Sequence, residues 1–142
     1  MRIANVRKAR IQLVTNNEVI LCVDDEETSL RLRKLVLEKA GYEVVTATSA
    51  TLALEVLSSR KVDLLLTDYL MPGQTGTELA RGAKNIRPEL PVILLSGVNE
   101  PPLDMEHVDL FVSKVEGPQS MCEKVAAVLS AYRNESASRS HC

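Results

Sequence analysis

The sequence predicts a single α/β domain built on a parallel sheet, and three observations carry that prediction. Short apolar runs alternate along the chain with helix-length amphipathic segments, the pattern of strand–helix–strand crossovers. Several of those runs are apolar throughout rather than at every second residue, as strands covered on both faces must be. At 142 residues the chain has room for one domain with a real core and not two.

The elements follow in order. Val19 to Val23 is a continuous apolar run too short for a helix and is the first strand. Glu26 to Ala40 follows as a helix, with Leu32, Leu35, Val36 and Ala40 expected on its inward face. Glu26 and Glu27 stand near its start, where carboxylates favour the helix dipole, and Gly41 just past its end is a stop signal. Glu43 to Ala47 is the second strand, and Ser49 caps a helix that turns Leu54 and Leu57 inward. Val62 to Thr67 is a third and very apolar strand. Thr75 to Asn85 forms the next helix, weakened by Gly82. Pro91 to Leu95 and Val108 to Ser113 are strands four and five. A last helix runs from about Pro118 to Arg133, with Met121, Val125, Val128, Leu129 and Tyr132 along one face.

Between strands four and five the segment GVNEPPLDME breaks the pattern, because Pro101 and Pro102 can only precede or begin a helix. The fourth helix of the fold is therefore expected to be a short turn after Pro102 or an irregular loop. Residues 18–133 form the expected domain, with an N-terminal extension over 1–17 and a C-terminal tail over 134–142. Arg2, Arg7, Lys8 and Arg10 make the extension basic, and it reads as a solvated arm rather than a nucleic-acid arm.

Composition narrows the function classes. Hydrophobic content of 45% and charged content of 25% are ordinary for a globular protein. A net charge of −2 gives no electrostatic case for direct nucleic-acid binding. No apolar stretch approaches the roughly 20 residues of a membrane span, and MRIANVRKARIQLV lacks the apolar core of a signal peptide. Cys22, Cys122 and Cys142 are odd in number and show no metal-ligand spacing, which fits a reduced, cytoplasmic protein.

Chemistry concentrates at the strand ends. Right-handed crossovers bring the C-terminal ends of parallel strands to one edge, where open α/β sheets bind their ligands. Asp24 and Asp25 lie just beyond strand one, Asp68 beyond strand three, Ser96 beyond strand four and Lys114 beyond strand five. Converging carboxylates repel one another, and a bound Mg²⁺ resolves the repulsion because it takes carboxylate, water and phosphate oxygens. A hydroxyl and an ammonium group suit phosphoryl oxygens. Singly, each residue has an ordinary explanation: a solvated helix start, a turn, a cap, a surface lysine. Their order at successive strand ends carries the inference.

The pair Asp24-Asp25, the stretch Asp68-Tyr69-Leu70-Met71-Pro72 with Gly76, then Ser96, Phe111 and Lys114 make the chain resemble a response-regulator receiver domain of two-component signalling, over residues 18–133. The resemblance implies a flavodoxin-like, doubly wound five-stranded sheet of order 2-1-3-4-5 with helices on both faces. It implies that Asp68 is the phosphoacceptor, taking a phosphoryl group from a partner phosphohistidine. Asp24, Asp25, Asp68 and the backbone carbonyl of Leu70 would hold Mg²⁺, and Lys114 would pair with a phosphoryl oxygen. Ser96 and Phe111 would be the switch residues. The implied partners are a sensor histidine kinase or a histidine phosphotransfer protein and a downstream protein, with a homodimer as a further arrangement. Such a domain is not an enzyme on an outside substrate; it catalyses its own phosphorylation and dephosphorylation.

The chain also departs from that family. Val115 follows Lys114 where proline with a cis peptide is usual, and a non-proline cis bond costs about 3–4 kcal/mol. Either the strain is retained or the loop differs. Gly97 follows Ser96 where alanine is usual, and His107-Val108-Asp109 replaces Gly-Ala-Asp before strand five. These changes fall on the surface that receivers use for output. They keep open an alternative reading, a pseudo-receiver that binds a partner without phosphorylation. An aspartyl phosphohydrolase needs a second acid two residues after the nucleophile, where Leu70 stands, and DDEET offers no glycine cradle for a dinucleotide. Leu70 and Val98, both apolar, flank the site and imply slow loss of phosphate.

Overall fold

The computed structural model describes residues 18–98 and 100–140, with side chains to residue 135. The predicted extension over 1–17 and the last two residues, Cys142 included, lie outside the described residues. The elements are β1 (Val19–Val23), α1 (Glu27–Lys39), β2 (Glu43–Ala47), α2 (Ala50–Ser59), β3 (Leu64–Asp68), α3 (Gly76–Ile86), β4 (Val92–Ser96), β5 (Leu110–Ser113), a 3-10 turn (Lys114–Glu116) and α4 (Gly117–Ser140). Every strand pairing is parallel, in the order β2-β1-β3-β4-β5. The order reverses between β1 and β3, which leaves a crevice at their C-terminal ends.

Apolar continuity follows from position in the sheet. β1, β3 and β4 are buried at every residue, while the edge strand β2 mixes buried and accessible positions. One face packs Leu21, Leu65 and Val92 against Ala53 and Leu57 of α2 and Leu79 and Ala83 of α3. The other packs Ile20, Leu64 and Ile93 against Leu30 and Leu37 of α1 and Val125 and Leu129 of α4. Each fully buried aliphatic side chain contributes about 1.5–3 kcal/mol. Local signals agree with this packing. Ser49 Oγ accepts the Leu52 N–H at 3.2 Å, Thr75 and Glu78 form a capping box, and Gly41 takes φ 102°, the left-handed conformation that ends α1.

The inward face of α1 corrects the sequence-based expectation. Leu30, Arg33 and Leu37 point into the protein, whereas Leu32 and Leu35 are 60% and 52% exposed, Ala40 is also exposed and Val36 is only partly buried. A charged residue in the middle of the i, i+3, i+7 stripe hides it from a hydrophobicity pattern. Most other boundaries move by a residue or two. β3 and β4 end on Asp68 and Ser96, so those residues belong to the strands rather than following them. α4 continues through residues 134–140, expected as tail, because NESASRS contains neither glycine nor proline to stop it. Asn134 and Glu135 on that continuation are exposed. Among the described residues no helix joins β4 to β5, and the irregular loop is the outcome of the two that were expected. The loop is tied to α3, since Thr77 Oγ1 donates to Asp104 Oδ2 at 2.5 Å.

Two Val-Asp-Leu sequences set the strand registers. The Asp63 N–H donates to the Val19 carbonyl at 2.8 Å while its carboxylate accepts the Val19 N–H at 2.8 Å. Asp109 repeats the arrangement on Val92, with both bonds again at 2.8 Å. Asp109 further pairs with Lys84 of α3 at 2.8 Å and accepts the Tyr132 hydroxyl of α4 at 3.1 Å. One carboxylate thereby ties two helices, one on each face of the sheet, to the start of β4.

After β5 the chain turns differently from a cis-proline loop. No cis peptide occurs among the described residues, and Lys114 opens the 3-10 turn instead. Ser113 Oγ accepts the Val115 N–H at 3.4 Å and the Glu116 carboxylate accepts the Ser113 N–H at 3.3 Å. Glu116 also accepts from Lys124 and Ser120, at 2.5 and 2.8 Å. Among the described residues no helix is long and apolar enough to cross a membrane.

Two outcomes follow from these ties. Asp109→Ala removes the acceptor of three groups and is expected to lower unfolding stability by about 1–3 kcal/mol in a urea melt. The Lys124 ammonium, with Ser120 and the Ser113 N–H, holds Glu116 well below its ordinary 4.5, at about 2. A depressed carboxyl stabilises the fold above its unfolded value, and that contribution is lost as pH falls from 4.5 towards 2. Wild type is therefore expected to be more stable than Glu116→Gln near neutral pH, the two converging at the acid end of a pH series of melts.

Candidate functional site

The β1–β3 register, which sets Val23 beside Thr67, carries the chain on to bring Asp24 next to Asp68. Asp24, one residue past β1, is 2% exposed; Asp68 is buried at the end of β3; Asp25 is exposed above them. Carboxylate oxygens of the three lie within 4.8 Å of one another. Backbone ties hold them in place. The Asp24 N–H donates to the Ala47 carbonyl at 3.2 Å, and Asp24 Oδ1 accepts the Glu26 N–H at 3.0 Å, turning the chain into α1. The Tyr69 N–H donates to the Leu95 carbonyl at 2.9 Å, and the Gly76 N–H donates to the Tyr69 carbonyl at 2.7 Å.

Gly76 is where the site constrains the sequence most tightly. A Cβ there would stand 2.2 Å from the Asp68 carbonyl oxygen and 2.7 Å from Leu94 Cδ1. Only glycine lets the first turn of α3 press this closely on the strand that carries Asp68.

Two cations answer the three acids. Lys114 Nζ lies 2.5 Å from Asp68 Oδ1 and 3.9 Å from Asp24 Oδ2. Arg33 Nη2 lies 3.3 Å from the same Asp24 oxygen, and both partners are buried. Burial holds the Asp68 carboxyl above its ordinary value, against the pull of Lys114, and the neighbouring Asp24 charge adds to the rise. Among the described residues three carboxylates thus face two cations, leaving one negative charge at the crevice. Oxygen donors on two buried acids and one exposed acid fit a hard divalent cation that keeps part of its water shell.

The remaining predicted residues surround this centre. Ser96 is 3% exposed, and its Oγ accepts the Val98 N–H at 3.3 Å, so the hydroxyl is engaged with its own loop. Phe111 is half-buried on β5 beside Leu94, two residues before Ser113, which pairs with Ser96. Leu70, two residues beyond Asp68, has an exposed side chain on the loop to α3. Sequence reasoning missed Arg33. The signal was present, since a charged residue stands between Leu30 and Leu37 at core spacing within three turns of Asp24.

Comparison with known proteins agrees with this geometry. The family model "Response regulator receiver domain" matches residues 20–126. The phosphate regulon transcriptional regulatory protein PhoB of Pseudomonas aeruginosa is 32% identical over 118 residues, 79% of this chain and 52% of that protein. The alkaline phosphatase synthesis transcriptional regulatory protein PhoP of Bacillus subtilis is 31% identical over 117 residues, 80% of this chain and 49% of that protein. The chain thus spans about half the length of these curated relatives. Among solved structures, the response regulator TrrA of Thermotoga maritima, in complex with Mg²⁺-BeF, has a TM-score of 0.73 and 32% identity, covering 78% of this chain and 97% of that one. A CheY-like receiver domain from Methanospirillum hungatei has a TM-score of 0.78 and 29% identity, covering 84% and 99%. The acid cluster fits the Mg²⁺ binding of such domains. The chain belongs to the response regulator receiver domain family, the signalling domains of two-component systems.

Proposed function

We propose that this domain is the phosphoacceptor of a two-component phosphorelay, with Asp68 as the residue phosphorylated. The observation that carries the reading is a buried Asp68 carboxylate 2.5 Å from Lys114 and within 4.8 Å of two further acids. An Asp68 oxygen attacks the phosphorus of a partner's phosphohistidine; the new O–P bond forms as the P–N bond breaks, and the electron pair leaves with the imidazole, which takes up a proton. Asp24, Asp25, Asp68 and the Leu70 carbonyl are the residues that would hold Mg²⁺. When bound, the ion supplies positive charge where the transferring group is most negative. Lys114 then trades its contact with Asp68 for a phosphoryl oxygen.

Once the acyl phosphate is in place, the Ser96 hydroxyl leaves the Val98 N–H and donates to a second phosphoryl oxygen. Phe111 follows inward on β5, and the change in the β4–β5 loop is what a partner reads. Leu70, Val98 and Val115, exposed at 69%, 58% and 72%, rim the crevice with apolar surface against which a histidine kinase or phosphotransfer protein can dock. The same apolar rim limits entry of water and slows loss of phosphate. We place the domain in the cytoplasm, with the phosphohistidine donors it would serve. A pseudo-receiver is disfavoured by the assembly of the acids and Lys114 into one cluster.

Incubation with Mg²⁺ and acetyl phosphate is expected to add the mass of one phosphoryl group to the native protein. Labelling is expected to vanish in EDTA and in Asp68→Asn, and to slow by about 10-fold or more in Lys114→Ala, which loses a charge-assisted contact. A folded, Mg²⁺-binding protein that never labels, or Asp68→Asn labelled as wild type, would overturn the assignment.

A further inference from the structure

Arg33 is the one charged side chain in the inward stripe of α1, between the core residues Leu30 and Leu37. A buried guanidinium is tolerated only where an anion compensates it. Here the compensation comes from Asp24, whose Oδ2 lies 3.3 Å from Arg33 Nη2. The other amine, Nη1, is buried with no hydrogen-bond partner among the described residues. A purely structural arginine would use its fork to satisfy both nitrogens; this one is half-satisfied. What it supplies is charge.

Resting on the reading of the acid cluster as an Mg²⁺ site, we infer that Arg33 is a resident counter-ion that weakens Mg²⁺ binding and stabilises the metal-free pocket. The group it contacts is Asp24, with Lys114 on the same Asp24 oxygen. With Arg33 present, the acids and cations leave a single negative charge, so a divalent ion brings the pocket to a net positive charge. Without Arg33 the same ion would bring it to neutrality. Attraction scales with the product of charges, and one Asp24 oxygen is already committed to the guanidinium. Arg33 therefore competes with the metal for Asp24 while relieving the repulsion between Asp24 and Asp68 when no metal is bound. Metal occupancy, and with it readiness for phosphorylation, then requires a higher Mg²⁺ level than the same acids would need without Arg33.

The test is Mg²⁺ titration by calorimetry at constant ionic strength on wild type, Arg33→Met, Arg33→Lys and Asp25→Asn. Arg33→Met is expected to bind Mg²⁺ at least about 10-fold more tightly than wild type, and Arg33→Lys to stay near wild type. Melts give a second readout: in EDTA Arg33→Met melts below wild type, and saturating Mg²⁺ raises its Tm by more than it raises that of wild type. Should the methionine variant fail to fold, Arg33→Gln removes the same charge with a polar head. Binding detectable only in the neutral variants supports the inference. Equal or weaker Mg²⁺ affinity in those variants, with wild type binding and Asp25→Asn impaired, overturns it and leaves the metal site standing. Absence of Mg²⁺ binding in wild type and neutral variants alike overturns the metal reading and the inference together.

Discussion

The rest of this molecule is arranged around a repulsion. Parallel pairing of β1 with β3 brings Asp24 and Asp68 together, both buried, where neither solvent nor distance screens one charge from the other. Lys114 arrives from the end of β5 and Arg33 from the inward face of α1, and each spans that gap to an acid. Elements on both edges of the crevice are thus committed to charge balance. On the proposed reading, phosphoryl chemistry would use the same imbalance, because a pocket left slightly negative attracts a metal, whose charge then draws a phosphoryl group.

Precision at the sheet's C-terminal edge depends on rigidity at the opposite edge. Asp63 and Asp109 each make two hydrogen bonds, one through the backbone N–H and one through the carboxylate, with the first residue of a neighbouring strand, fixing the β1–β3 and β4–β5 registers where the strands begin. A slip of one residue would turn Asp68 or Ser96 to the other face. Gly76 then sets the height of α3 against the Asp68 carbonyl. Strands held at one end and pressed by a helix at the other leave the loops above them as the parts free to change.

Those loops are where this chain has its own character. The β4–β5 connection is a loop rather than a helix, tied to α3 through Thr77 and Asp104. The turn after Lys114 is closed by Ser113 and Glu116 instead of proline, and Glu116 extends the tie to Lys124 on α4. A change at Lys114 or Ser96 therefore meets polar side-chain ties in place of a packed helix.

Legible in the sequence were the α/β class, the five strands, the Ser49 cap and the set of polar residues at the strand ends. Those features rest on local periodicity and turn chemistry, which a single chain displays directly: VILCV and VDLLLT show burial on two faces, and Ser49 shows where a helix begins. The reach from Lys114 to Asp68 was legible in the same way, because parallel topology sends every strand end to one edge. Tertiary structure decided what periodicity cannot express. Leu32 and Leu35 looked inward by their apolarity, yet Arg33 took the buried place because Asp24 stands opposite to neutralise it. The intolerance of any side chain at Gly76, and the choice of a loop and a 3-10 turn where a helix and a cis bond could have stood, were also settled between elements. Each depends on atoms brought together across the fold from distant positions, and a charge is core-compatible only once its partner is in place.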